Sequence, residues 1–246
     1  MGLRDSSLYS DFNISVPFFE LGPKAYLYGE HVLELALCAD QISAEYDVTI
    51  IMTPQYVDIP LLARQTKDLL IFAQHIDPVH IGRGIGSVLP EAVKDAGASG
   101  ALLNHAEKPL PMDILEETIR RADEVGLASM VCAGDMQEIE AVSKLKPNII
   151  IAESPEEIGT GRRSTDLSSI QRINDLVHAI DPRILVLHAA GISCGEDVYR
   201  VIAAGAQATG STSGVILADD PCSMLEEMIA AVRQAWNDTH LPIEEE

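Results

Sequence analysis

The chain has 246 residues, of which 47% are hydrophobic, and this supplies a core for one α/β barrel or for two small domains. Its 38 acidic residues outnumber its 17 basic residues and give a formal net charge of -21. Such a surface repels nucleic acid and anionic membranes, which argues against both as partners. A small anionic substrate is still permitted, because a few backbone N–H groups and one lysine can hold a phosphate.

Four cysteines are spread over the chain without C-x-x-C spacing: Cys38, Cys132, Cys194 and Cys222. This pattern favours reduced thiols, so we expect no disulfide and a cytoplasmic location. Residues 1–13 lack the apolar stretch of a signal peptide, and no apolar run approaches the length of a membrane span. We expect one domain over residues 1–246, with an N-terminal extension at 1–13 and a frayed tail at 240–246, because no linker divides the chain.

Short apolar runs, each followed by an amphipathic segment, recur eight times and predict βα units around a parallel sheet. In chain order the predicted strands are Val16–Leu21, Val48–Met52, Leu69–Ala73, Gly100–Asn104, Ala128–Cys132, Asn148–Ala152, Ile184–Leu187 and Ala208–Ser211. Most are continuously apolar, as strands covered on both faces require. Helical periodicity appears between and after them, for example in Leu225, Met228, Ile229 and Val232.

Two architectures share this alternation of strands and helices. A doubly wound open sheet usually has fewer strands and often carries G-x-G-x-x-G after its first strand, whereas Gly22-Pro23-Lys24 stands there in this chain. Eight βα units without a dividing linker therefore favour an α/β fold of the closed (β/α)8 type, with eight parallel strands and outer helices.

Functional residues of such a barrel lie where the strands end at their carboxyl side. The ionisable side chains predicted there are Lys24, His75, His105, Glu153 and His188. Glycine-rich segments, Gly191–Gly195 and Gly210–Gly214, follow the seventh and eighth strands, and such segments let backbone N–H groups approach an anion. The sequence therefore predicts ionisable groups beside a phosphate site, although each residue alone also fits a structural role. That alternative is weakest for Glu153, because an acid that ends a buried strand is costly unless it is paired or used.

Two segments carry a resemblance to a known family. Leu103–Lys108, with the sequence LNHAEK, and Ala152–Gly161, with the sequence AESPEEIGTG, closely resemble the catalytic segments of the triosephosphate isomerase family. Further similarity, closest to the archaeal branch, runs through Thr53–Asp58, Phe72–His75, Ser87–Glu91 and Gly191–Ser193. The resemblance covers nearly the whole chain from the first strand, and it implies a TIM barrel that interconverts aldose and ketose phosphates in glycolysis and gluconeogenesis.

The resemblance also implies roles for individual residues, as they are known for that family. Glu153 would be the base that moves a proton through an enediolate, His105 a neutral donor and Lys24 a fixed positive charge. Ser154–Gly161 would form a lid over the site. The residues expected to bind the substrate or its phosphate are Gly22, Lys24, Ile158, Gly159, Gly191, Thr212, Ser213 and Gly214. No cofactor or metal ion is implied.

The chain departs from the family pattern near the expected site. Gly22 stands where the family has asparagine, Ala106 where it has serine, and Lys108 where bacterial and eukaryotic members have arginine. The loop after the third strand has Ile85 where a threonine that reaches the neighbouring subunit is common, and the resemblance implies a homodimer or homotetramer. The departures leave two substrates open, a triose phosphate and a tetrulose phosphate such as erythrulose phosphate.

Three other functions remain open at this point. A metal-dependent epimerase or lyase would use His75, His105, His188 and Glu153 as ligands, since ligands in a barrel can come from separate strands. A non-catalytic sensor of phosphosugars would keep the phosphate loops without turnover. A Schiff-base aldolase is disfavoured because the sixth strand ends in Glu153 and not in a lysine.

Overall fold

A computed structural model describes residues 14–153, 167–189 and 191–240 of the chain. The strands are β1 (Phe18–Leu21), β2 (Thr49–Met52), β3 (Leu70–Ala73), β4 (Gly100–Leu103), β5 (Ala128–Ala133), β6 (Ile149–Ala152), β7 (Leu185–His188) and β8 (Ala208–Ser211). The helices are α1 (Gly29–Tyr46), α2 (Ile59–Gln65), α3 (Pro90–Asp95), α4 (Met112–Val125), α5 (Met136–Lys144), α6 (Ser168–Ile180), α7 (Gly195–Ala203), α8 (Ser213–Ile216) and α9 (Pro221–His240).

All eight strands are parallel and follow one another around a closed barrel, because β1 also pairs with β8. Phe18 of β1 lies opposite Thr49 of β2 on one side and Ala208 of β8 on the other. The predicted (β/α)8 barrel is therefore confirmed, and each predicted strand lies at the expected place in the chain. The helices surround the barrel, and none of those within the described residues combines the length and hydropathy needed to cross a bilayer.

Side chains alternate between the inside and the outside of the barrel, as the pleat of a strand dictates. In β1, Phe18 belongs to the cluster that fills the barrel, whereas Phe19 and Leu21 belong to the cluster between strands and helices. Both clusters are built from buried apolar side chains. This double burial explains why the strands are apolar along most of their length.

The prediction that all four cysteines are reduced thiols is wrong. Cys38 of α1 and Cys222 of α9 form a disulfide, with their Cα atoms 6.1 Å apart, whereas Cys132 and Cys194 are not disulfide-bonded. The two cysteines are 184 residues apart in sequence, so no local cysteine spacing predicts that they pair. They become neighbours because closure of the barrel brings α9 against α1.

Loss of this disulfide is expected to destabilise the protein, because the bond closes a very long loop and restricts the unfolded chain. Cys38→Ser should lower the free energy of unfolding by about 2–4 kcal/mol. Denaturant unfolding of both proteins, with and without dithiothreitol, measures the effect. Reductant should destabilise the wild type to the level of the variant and leave the variant unchanged; equal stability of the oxidised wild type and Cys38→Ser would contradict the expectation.

Candidate active site

A cavity of about 270 Å³ opens at the carboxyl ends of the strands. The predicted residues that line it are Gly22, Lys24, His105, Glu153 and Thr212, which come from the ends of four different strands. This is the end of the barrel at which functional residues lie in this fold. Residues far apart in sequence therefore meet around one space large enough for a small molecule.

The Lys24 segment is held in an unusual backbone conformation. Lys24 has a φ of 46°, in the left-handed region that side-chain-bearing residues seldom adopt. Its carbonyl oxygen accepts hydrogen bonds from the side-chain amides of Gln55 (2.8 Å) and Gln74 (2.9 Å). Its Nζ lies 2.6 Å from a carboxylate oxygen of Glu107. Contacts from the segments after β2 and β3 thus fix the backbone of Lys24, and a contact from the segment after β4 fixes its ammonium group.

His105 is held as a neutral ring with its Nε2 free to donate. The backbone N–H of Glu107 donates to Nδ1 of His105 at 3.1 Å, so this nitrogen is an acceptor and the ring proton lies on Nε2. Burial and, second, the charge of Lys24 lower the pKa of His105, and Glu107 opposes them. At neutral pH the imidazole is therefore uncharged and presents one N–H group as a hydrogen-bond donor.

Asn104 explains why His105 faces the cavity. Leu103 packs outside the barrel, and a continued strand would carry His105 outward as well. Asn104 ends the strand with a φ of 56° and so redirects the chain. Its side-chain amide donates to the Cys132 carbonyl oxygen (3.0 Å) and to Glu138 (3.0 Å), and its oxygen accepts from the Leu110 N–H group (2.9 Å).

Two substitutions separate the backbone role of Asn104 from its side-chain role. Asn104→Gly loses the hydrogen bonds but keeps the left-handed conformation at little cost, whereas Asn104→Ala loses both. We expect Asn104→Ala to unfold more easily than Asn104→Gly by about 1–2 kcal/mol, which is the cost of the left-handed region for a residue with a Cβ atom. Urea denaturation of the two variants tests this. A glycine variant as unstable as the alanine variant would rule out the backbone role.

Glu153 follows β6 directly, and its backbone N–H group donates to the Ala133 carbonyl oxygen at 3.1 Å. This bond continues the β5–β6 ladder and holds the start of the segment after β6. Ile149 and Ile151 fill the barrel, so Glu153 is in register to point inward, and it lines the cavity. The predicted lid residues Ile158 and Gly159 lie outside the described residues.

The loops after β7 and β8 pack against each other beside the cavity. The Ser211 hydroxyl donates to the Ile192 carbonyl oxygen at 2.9 Å. A Cβ atom on Gly214 would lie 2.6 Å from Ser211 Oγ and 2.8 Å from the Ile192 carbonyl oxygen, so only glycine fits at this contact. Thr212 lines the cavity, whereas Gly191 in the loop after β7 and Ser213 and Gly214 at the start of α8 do not line it.

Two of the predicted ionisable residues do not reach the cavity. His188 is buried against Asn174 of α6, 2.9 Å away, and burial lowers its pKa to about 4. His75 is buried and forms a hydrogen bond with Asp77 in the loop after β3, and burial lowers the pKa of His75. Of the proposed metal ligands, only His105 and Glu153 line the cavity. Among the described residues there is no cluster of His, Cys, Asp and Glu side chains suited to a metal ion.

Several residues that line the cavity were not predicted. Thr53, Gln55 and Gln74 follow β2 and β3, and Glu20 lies within β1. Thr53, Gln55 and Gln74 lie within segments that resemble the family, but glutamine and threonine after a strand also resemble ordinary turn residues, and no role was predicted for them. Glu20 did carry a signal, because it is the one charged residue inside the predicted strand Val16–Leu21.

Fold and site together define a (β/α)8 barrel enzyme with an acid, a neutral imidazole and an ammonium group around one cavity. A family model described as triosephosphate isomerase matches residues 24–219. The triosephosphate isomerases of Methanobacterium bryantii and Saccharolobus solfataricus are each 36% identical to this chain, over 88% and 89% of its length and 97% of theirs. That of Methanosarcina barkeri is 34% identical over 89% of this chain and all of its own.

The chain belongs to the triosephosphate isomerase family and is an isomerase. The family and reaction class predicted from its motifs are thereby confirmed. The family match begins at Lys24, so Glu20 and Gly22 of the first βα unit lie outside the matched residues.

Proposed function

We propose that the protein interconverts glyceraldehyde 3-phosphate and dihydroxyacetone phosphate by proton transfer through an enediolate. The observation that carries this proposal is the meeting of Glu153, His105 and Lys24 around one cavity. The names of the relatives add the substrate, since each of the three cited is called a triosephosphate isomerase.

Each of the three residues has a distinct task in this reaction. Glu153 takes the proton from the carbon next to the carbonyl group and returns it to the neighbouring carbon. A carboxylate removes such a proton at neutral pH only when the enediolate is stabilised as it forms. The neutral His105 ring donates from Nε2 to the developing oxyanion and exchanges a proton between the two oxygens. The Lys24 ammonium group adds a fixed positive charge in a site that is partly shielded from water.

The substrate phosphate binds next to the loops after β7 and β8. Thr212 lines the cavity, and we assign Gly22, Gly191, Ser213 and Gly214 to the same binding region. The close packing at Gly214 supports this assignment because it keeps the two loops together and in place. Contacts from Ile158 and Gly159 to the phosphate, and closure of the lid after Glu153, remain predictions.

A panel of substrates tests the proposed function. Triose, tetrulose and pentulose phosphates are offered to the purified protein, and the change in each aldose and ketose is followed with and without exhaustive chelation. We expect the highest kcat/KM with triose phosphates and no loss on chelation. A tetrulose phosphate as the better substrate would favour the paralogous activity, a loss on chelation would favour the metal-dependent epimerase or lyase, and no turnover at all would favour the sensor.

We also propose that the chain is a single-domain enzyme that forms a homodimer or homotetramer. A cytoplasmic location is kept as a proposal without the support of reduced thiols, because Cys38 and Cys222 form a disulfide. Ile81 and Ile85, in the loop after β3, are exposed large apolar side chains, which are costly in water unless another surface covers them. The buried Arg121 donates to the Val79 carbonyl oxygen of the same loop at 3.1 and 3.0 Å and pairs with Glu91. A loop fixed in this way is suited to insertion into a second copy. Light scattering compares the number of chains per particle in the wild type and in Ile85→Asp.

A further inference from the structure

Glu20 is a carboxyl group inside the barrel. It lies in β1 two residues after Phe18, which fills the barrel, and between Phe19 and Leu21, which pack outside it. Its side chain lines the same cavity as Lys24 and Glu153, and Thr53 donates a hydrogen bond to its Oε1 at 2.9 Å. No step of the reaction described above uses this side chain.

Two glycines make room for the Glu20 side chain. A Cβ atom on Gly22 would lie 3.0 Å from Glu20 Oε1 and 3.1 Å from Thr212 Oγ1, and one on Gly210 would lie 3.2 Å from Glu20 Oε2. A side chain at position 22 would therefore crowd the Glu20 carboxyl group, which would have to shift by a few tenths of an ångström. The family has asparagine at this position, so in this chain the carboxyl group lies next to the point from which that polar side chain would extend.

The surroundings of Glu20 favour its neutral form. Burial is the main cause that raises the pKa of Glu20 to about 7; the charge of Glu153 also raises it, whereas Thr53 and Lys24 lower it. The thiol of Cys132, on β5, faces the same groups, and burial raises its pKa too, so it adds no charge. With the Thr53 hydroxyl donating to Oε1, the proton of a neutral Glu20 lies on Oε2 and is available as a hydrogen-bond donor.

From this geometry we infer that Glu20, as a neutral carboxylic acid, contacts the substrate and donates a hydrogen bond to one of its oxygens. It would do so beside His105 and Lys24, in place of the polar side chain missing at Gly22. The inference rests on the proposed function, because it places the substrate between Lys24 and Glu153. An ionised Glu20 would repel both the enediolate and the phosphate, whereas the neutral acid stabilises developing negative charge.

Two substitutions of similar size test this role. Glu20→Met removes the donor and should lower kcat by about 10²- to 10³-fold, as the loss of one oxyanion donor does elsewhere. Glu20→Gln keeps an N–H donor but cannot ionise. It should retain kcat within about tenfold. We expect the kcat/KM of the wild type to fall above about pH 7 as Glu20 ionises, and this fall should be absent in Glu20→Gln.

A rescue experiment separates substrate contact from a structural role. Glu20→Val removes the carboxyl group and leaves space beside position 22. In the double variant Glu20→Val with Gly22→Asn, a polar side chain at position 22 can fill that space. The kcat of the double variant should therefore be higher than that of Glu20→Val alone. Circular dichroism and thermal unfolding identify variants that fail to fold. The inference is overturned if folded Glu20→Met keeps the wild-type kcat, or if Glu20→Gln keeps the wild-type pH profile.

Ligand binding provides a readout that does not need turnover. The probe is 2-phosphoglycolate, whose planar carboxylate and phosphate mimic an enediolate phosphate. Calorimetry at pH 8 in buffers of different ionisation enthalpy should show more proton uptake on binding by the wild type than by Glu20→Gln. Equal uptake overturns the inference. If the wild type takes up more protons than Glu20→Gln but turns over no triose phosphate, Glu20 contacts the ligand as inferred and only the proposed function is refuted.

Discussion

Replacing Glu153 by glutamine is expected to lower kcat by about 10²- to 10⁴-fold, which is the usual contribution of a general base. The amide has nearly the same shape as the carboxylate but cannot accept a proton from carbon. Steady-state assays with glyceraldehyde 3-phosphate measure the effect, and KM should change much less than kcat because binding contacts remain.

Glu116→Gln is the matched control for that substitution. Glu116 is exposed on α4 and does not line the cavity. The same loss of charge there should leave kcat unchanged. A Glu153→Gln enzyme that keeps more than a tenth of the wild-type kcat would show that another group is the base.

Replacing Lys24 by methionine is expected to lower kcat/KM by about 10²- to 10³-fold, since the substitution removes a positive charge from a partly desolvated site. The side chain keeps its length, and the tethers from Gln55 and Gln74 bind the backbone carbonyl of residue 24, which is retained. Both kcat and KM should worsen, because the ammonium group acts on the bound phosphosugar and on the enediolate. Initial-rate kinetics over a range of substrate concentrations separate the two effects.

Two further variants check the interpretation of Lys24. Lys67→Met removes an exposed lysine remote from the cavity and should have no effect on rate. Glu107→Gln removes the partner of the Lys24 ammonium group but keeps the charge of the lysine, so its effect should be smaller than that of Lys24→Met. A larger effect of Glu107→Gln would mean that the pair matters more than the positive charge.

The fold was predictable because the strands of a parallel barrel are buried on both faces. The sequences of β6 and β7 are apolar at nearly every position, and this pattern is recognisable without knowing which strands are neighbours in the sheet. The disulfide between Cys38 and Cys222 was not predictable, because its formation depends on where α1 and α9 meet once the barrel has closed.

Side-chain alternation separates the correct and incorrect parts of the site prediction. Glu153 lies two residues after Ile151, which points inward, and it lines the cavity. His188 lies two residues after Val186, which points outward, and it packs against α6. Counting inward and outward positions along each strand would therefore have excluded His188 from the predicted site. It would also have removed His105, wrongly, because the left-handed Asn104 was not visible in the sequence.

Glu20 was overlooked for a related reason. A strand as apolar as β1 was assigned to the core as a whole, although a charged residue within it is costly unless it is used or neutralised. Gly22 was predicted as a binding residue and as a departure from the family pattern, without any relation to Glu20. The structure shows that the two positions share one space, which a reading of single positions does not reveal.

Isotope exchange tests proton transfer at carbon most directly. The protein is incubated with dihydroxyacetone phosphate in deuterium oxide, and both the product and the recovered substrate are examined by NMR. Proton transfer through Glu153 and an enediolate predicts deuterium at the carbon next to the carbonyl group, and none with Glu153→Gln. Conversion of the substrate by the intact protein with all of its carbon-bound hydrogen retained would contradict the mechanism.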